Sequence, residues 1–135
     1  MKIIKTKDQS VIIYINEKIK QYIEREEIKE YDSQLFIKWL RPSLTAFNIA
    51  VWVALEEDKC LGYLIVQVNP TFTYEKLNII SLFGDTPEIE AKLLEGAEVW
   101  AKSNGIKICQ TSTFHPKKWK DRGFQVVEHL LTKEI

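Results

Sequence analysis

The sequence predicts an α/β domain built on a mixed sheet, and three observations predict it. Apolar runs of strand length, rich in Val, Ile and Leu, are interspersed with stretches whose apolar residues recur every three or four positions. Over Leu77 to Thr113 a strand, a helix and a second strand follow one another, the pattern of a parallel and normally right-handed crossover. The length of 135 residues and a hydrophobic content of 45% suit one ordinary core, so residues 1–135 are expected to form a single domain.

Taken in order, Lys2 to Lys5 make a short first strand. Asp8 and Ser10 then offer helix-capping oxygens ahead of Ile12, Ile15, Ile19 and Tyr22, which share one helical face. A charged stretch from Glu24 to Asp32 leads to Ser33 and a second, shorter helix carrying Leu35, Phe36, Trp39 and Leu40, expected to end at Arg41-Pro42. Ile49 to Leu55 and Cys60 to Val68 are strands joined by the polar turn Glu56 to Lys59, an antiparallel hairpin that Asn69-Pro70-Thr71 stops. Leu77 to Phe83, almost unbroken in its apolar run, suits a strand covered on both faces.

Pro87 opens the next helix, Ile89, Leu93, Ala97 and Trp100 form its apolar face, and Asn104-Gly105 supplies a left-handed end. Gly96 inside this helix suggests a close approach to the sheet. A strand resumes from Ile106 to Thr113, and the basic stretch Pro116 to Arg122 forms one or two helical turns. Gly123-Phe124 and Val126 to Leu131 are expected to close the sheet with a strand or hairpin, for six or seven strands in all.

Charge and composition narrow the function. The 19 basic and 19 acidic residues cancel, which speaks against the phosphate attraction of a dedicated nucleic-acid binder and favours a small-molecule or protein partner. No run approaches the roughly 20 apolar residues of a membrane span, and the start lacks a signal-peptide core, so a cytoplasmic protein is expected. Cys60 and Cys109 lack the spacing of a metal knuckle or redox pair and are expected buried and reduced, with no metal.

The order of elements, with the strand start Cys60-Leu61-Gly62-Tyr63, the segment LLEGAEVWAKSNGIKI from Leu93 and the tail KKWKDRGFQVVEHLLTKEI, resembles the GNAT acyl-CoA N-acyltransferases. The resemblance implies the GNAT fold, acetyl-CoA as cofactor and an amine acceptor. It places the cofactor's phosphates beside Leu82, Phe83, Gly84, Asp85, Thr86, Glu88 and Glu90, with a proton donor at the position of Trp119. Family members carry an Arg or Gln and two small residues in that loop, because glycines let the backbone approach the pyrophosphate and free N–H groups at the helix start donate to it.

Here the three diagnostic positions hold Asp85, Glu88 and Glu90, while Pro87 lacks an N–H. The acidic side chains stabilise a first helical turn but would repel a phosphate. Trp119 replaces the usual tyrosine, and an indole cannot act as a general acid near neutral pH. Ser112 replaces a common asparagine. These departures predict a binding or structural protein, such as the GNAT-like virion components of some bacteriophages. The alternative is an acyl-CoA-dependent N-acetyltransferase for a small-molecule or protein amine, and a homo-oligomer suits either.

Three further groups invite a role. His115, at the end of a predicted strand, is the candidate base, with His129 the other imidazole. Lys117, Lys118, Lys120 and Arg122 either meet a phosphate or solvate a helix face. Tyr31, Phe36 and Trp39 either roof an acceptor pocket or pack into the core, and Phe72 and Tyr74 lie in a loop where exposed aromatics would mark a partner surface.

Overall fold

The computed structural model describes residues 1–26, 33–70, 74–113, 115–127 and 131–135. Strand β1 (Lys2–Thr6) leads into helix α1 (Val11–Glu26), and α2 (Ser33–Ser43) precedes β2 (Ile49–Glu56) and β3 (Lys59–Pro70). Then come β4 (Glu75–Gly84), α3 (Pro87–Ser103), β5 (Ile108–Thr111) and the short α4 (Pro116–Lys120). The strands form one sheet in the order β1-β2-β3-β4-β5, antiparallel except for the β4–β5 pair. The fold is therefore a mixed sheet flanked by helices.

Alternation along the strands gives the sheet two apolar faces. Val51, Val53, Tyr63, Ile65 and Phe83 pack with Ile15 and Ile19 of α1 and Phe36 and Leu40 of α2. Trp52, Leu64, Val66, Leu77 and Leu82 pack with Ile89, Leu93, Leu94 and Ala97 of α3 on the other face. The register shifts so that Ile65 faces Ser81 while Val66 faces Ile79, leaving Ile80 as an extra residue in β4. Ile80 and Ser81 thereby both turn to the α1 face, where Ile80 joins the apolar cluster and the Ser81 hydroxyl meets the Tyr63 hydroxyl at 2.6 Å.

The start of α3 is fixed by local chemistry. Thr86 has extended backbone and its side chain accepts from the Ile89 N–H at 3.3 Å, with Pro87 next in line. At the other end Gly105 takes a φ of +75°, in the left-handed region foreseen for it. Two glycines let α3 approach the sheet. A Cβ on Gly62 would lie 3.2 Å from Cγ2 of Ile89, besides 2.5 Å from the Phe83 carbonyl oxygen of the neighbouring strand, and one on Gly84 would lie 2.8 Å from Cγ of Glu90.

Several expectations need correction. Among the described residues the sheet has five strands, not six or seven. Residues 125–127 and 131–135 are not in a strand, and Val126, Val127 and Leu131 are exposed. Residues 128–130, the middle of that expected strand, lie outside the described residues. Helix α2 runs through Pro42 to Ser43. Proline removes one backbone donor, and the last turn is held instead by Leu44 N–H to the Leu40 carbonyl at 3.0 Å and Ser43 Oγ to the Trp39 carbonyl at 2.7 Å. Gly96 is not tightly enclosed: a Cβ there would meet Ile3 and Trp52 at 3.6 Å, an ordinary contact distance.

Candidate functional site

Parallel pairing between β4 and β5 starts at Lys76 with Ile108 and stops at Ile79 with Thr111, while β4 continues to Gly84. Beyond Ile79, side chains meet backbone groups of β4 that a neighbouring strand would otherwise engage. Arg25, in the last turn of α1, donates from Nη2 to the Leu82 carbonyl at 3.2 Å and lays its guanidinium 4.8 Å from the centre of the Phe83 ring.

The same arginine reaches Glu90. Oε2 of Glu90 accepts from Arg25 Nη1 at 2.5 Å and from the Gly84 N–H at 3.1 Å, while Oε1 accepts from Arg122 Nη2 at 2.5 Å and lies 3.6 Å from Lys118 Nζ. Glu90 is 2% exposed. Burial alone would raise its pKa, but the hydrogen bonds and charges of Arg25 and Arg122, with Lys118 adding to them, hold it below the ordinary carboxylate value. Arg25 loses hydration in the same place, yet Glu90 and Glu26 raise its pKa above the usual guanidinium value. This is a closed anion site whose anion is the protein's own side chain.

Each residue expected to face a cofactor has a definite place. Leu82 is buried in the α3-side core and Phe83 in the α1-side core. Asp85 donates its N–H to the Leu61 carbonyl at 2.9 Å and pairs with Lys18 of α1 at 2.6 Å. Thr86 is the helix cap, Glu88 is exposed, and Glu90 is the buried anion. Trp119 stacks edge-on against Phe124 at 5.1 Å with Arg122 above its ring at 4.6 Å, so it packs rather than exchanges protons.

A depression of about 550 Å³ adjoins Glu90's cation partners, lined by Arg25, Glu26, His115, Pro116, Lys117, Lys118 and Asp121. His115 is exposed on its rim with Nε2 3.1 Å from Oε2 of Glu26. Ser112 lies just past β5, also exposed. The basic run thus divides: Lys118 and Arg122 face Glu90, Lys117 lines the depression, and Lys120 is exposed. Phe36 belongs to the core and sits 5.7 Å from Trp39, which is half exposed. Tyr74 is exposed. Tyr31, Phe72 and His129 lie outside the described residues.

Cys60 is buried and Cys109 partly so, and both are free thiols. Burial raises the pKa of Cys60, and burial together with Glu98 pushes Cys109 up to about 12. Among the described residues no three His, Cys, Asp or Glu side chains cluster as a metal site, and no helix is long and apolar enough to cross a membrane.

What the sequence did not disclose is that α1 supplies cations to this site. Lys18 and Arg25 lie seven residues, or two turns, apart and so share a stripe beside the apolar face. That spacing was available as a signal, although their acidic partners lie far away in the chain.

Neither a family sequence model nor a curated protein matches the chain. Solved structures do. A predicted acetyltransferase from Clostridium acetobutylicum, determined with acetyl-CoA, has a TM-score of 0.78 at 18% identity, covering 98% of this chain and 95% of that one. An aminoglycoside acetyltransferase from an uncultured soil metagenomic sample, determined with sisomicin, has a TM-score of 0.69 at 22% identity, covering 98% and 96%. The chain has the GNAT acetyltransferase fold over nearly its whole length.

The start of α3 nevertheless leaves few backbone donors for a pyrophosphate, those of Thr86 and Glu88. The Gly84 N–H is engaged by Glu90, that of Asp85 by Leu61 and that of Ile89 by Thr86, and Pro87 has none. The groups here that suit an external anion are the side-chain cations of the depression.

Proposed function

We propose that this chain is an acyl-CoA-dependent N-acyltransferase for a small-molecule or protein amine, with the phosphates of the donor received by side-chain cations of α4 instead of by backbone amides. The observation that carries this reading is the parting of β4 from β5 beside a basic depression, within a fold shared end to end with an acetyltransferase that holds acetyl-CoA. Lys117 and Lys118 supply the positive charge, and His115 supplies a base. With Nε2–H donating to Glu26, the Nδ1 of His115 is left as the acceptor that can take a proton from an attacking amine.

Calorimetric titration with acetyl-CoA, followed by thiol-release assays over a panel of amines, tests the proposal. Saturable binding and turnover are expected, with turnover falling about a hundredfold in His115→Ala, the scale of a lost general base. No saturable binding at millimolar acetyl-CoA would sink it. The second reading would then stand: a GNAT-fold binding protein, favoured by one observation, the Glu90 carboxylate filling the place where backbone amides would meet phosphate.

A further inference from the structure

Three hydrogen-bond donors and a nearby ammonium converge on a single carboxylate. Gly84 N–H comes from the end of β4, Arg25 from α1, and Lys118 and Arg122 from α4 and the turn after it. Such convergence exceeds what one helix-start glutamate needs, since the helix dipole is satisfied by an exposed acid such as Glu88.

We propose that Glu90 is an autoinhibitory anion, seated in an inner receptor for phosphate-class oxyanions and excluding them from that inner seat in the wild-type protein, while the lysines of the outer depression stay open. Removing its side chain leaves Arg25, Arg122, Lys118 and the Gly84 N–H facing a space of carboxylate size. That space adjoins the depression, since Arg25 and Lys118 contribute to both. The excess of positive charge then draws in an external anion. This inference does not rest on the acyltransferase reading, because its probe carries neither an acyl group nor a nucleotide.

The test is chemical rescue. Wild-type protein, Glu90→Ala and Glu90→Gln are melted and titrated with inorganic phosphate, against sodium chloride at matched ionic strength so that screening is separated from binding. Glu90→Ala is expected to melt lower than wild type in chloride, to regain much of that loss in phosphate, and to bind phosphate at least tenfold more tightly than wild type. Should Glu90→Ala not fold in chloride, phosphate is expected to restore its folded signal, and Glu90→Gln, which keeps the shape and still fills the seat, is expected to bind phosphate no more than about twofold more tightly than wild type. Equal phosphate affinity in wild type and both variants, or rescue by chloride as good as by phosphate, would overturn the proposal. Failure of acetyl-CoA to bind any of the three proteins bears only on the acyltransferase reading and leaves this one to the phosphate arm.

Discussion

At the scale of single residues, Glu90 is where burial and charge compete, and its sign can be worked out. Its pKa in the folded protein lies below the ordinary 4.5, so the ionised form is favoured by folding. A group lowered in this way contributes stability that is present in full above its unfolded pKa and is lost as pH falls through the folded value. The melting temperature of the wild type is therefore expected to drop on acidification below about pH 5, and the gap between wild type and Glu90→Gln to narrow over the same interval. Calorimetric melts from neutral pH to about pH 3 check this. A gap that stays constant would mean that the carboxylate is not held ionised by Arg25 and Arg122. Removing one partner is also informative. Losing half of a fully buried pair costs about 3–5 kcal/mol, but the Arg25 side chain is 31% exposed, so Arg25→Met is expected to cost nearer about 1–2 kcal/mol.

At the scale of elements, three glycines sort themselves by what surrounds them. Gly62 and Gly84 are paired across β3 and β4 beneath the first turn of α3, and a methyl group on either would strike backbone atoms at 2.9 Å or less. Gly62→Ala and Gly84→Ala should each destabilise by about 1–3 kcal/mol, the range for overpacking a tight site. Gly96 sits inside α3 with ordinary contact distances around it, so Gly96→Ala should stabilise, by up to about 1 kcal/mol, through helix propensity and lost freedom of the unfolded chain. Urea midpoints of the three variants decide the matter, and a stabilising Gly84→Ala would contradict the packing described. These elements also show what a sequence can disclose. The cap, proline and terminal glycine of α3 are local signals, so the β4–α3–β5 unit was legible. That Glu90 stands at the start of α3 was equally legible. Its burial was not, because the partner Arg25 is 65 positions away and nothing local states that their paths meet. The last turn of α2 was misjudged for a related reason: a proline is read as a stop, whereas Ser43 and Leu44 supply hydrogen bonds that let the helix pass it.

At the scale of the whole molecule, the sheet separates two cores that meet chiefly through its strands. Ile19 anchors the α1 side and Leu93 the α3 side, both fully buried. Truncating either to alanine should cost about 2–5 kcal/mol. Because they sit on opposite faces without sharing a cluster, the two losses should add to within about 0.5 kcal/mol in Ile19→Ala with Leu93→Ala. The two layers also touch directly beside the edge of β4 that β5 leaves uncovered: Arg25 of α1 reaches past the end of β5 to Glu90 of α3. A cycle of Arg25→Met and Glu90→Gln should accordingly be non-additive, with a coupling of about 0.5–3 kcal/mol, since either change alone strands a charge that the other would have matched. Urea unfolding of both sets of variants measures the contrast. Additivity in the core pair with coupling in the charged pair means that the layers are independent in their packing and joined at the candidate site, so that any ligand displacing Glu90 from Arg25 would loosen α1 from α3. Coupling of similar size in both pairs would instead make the sheet the route of communication and deprive the Glu90 contact of that special place.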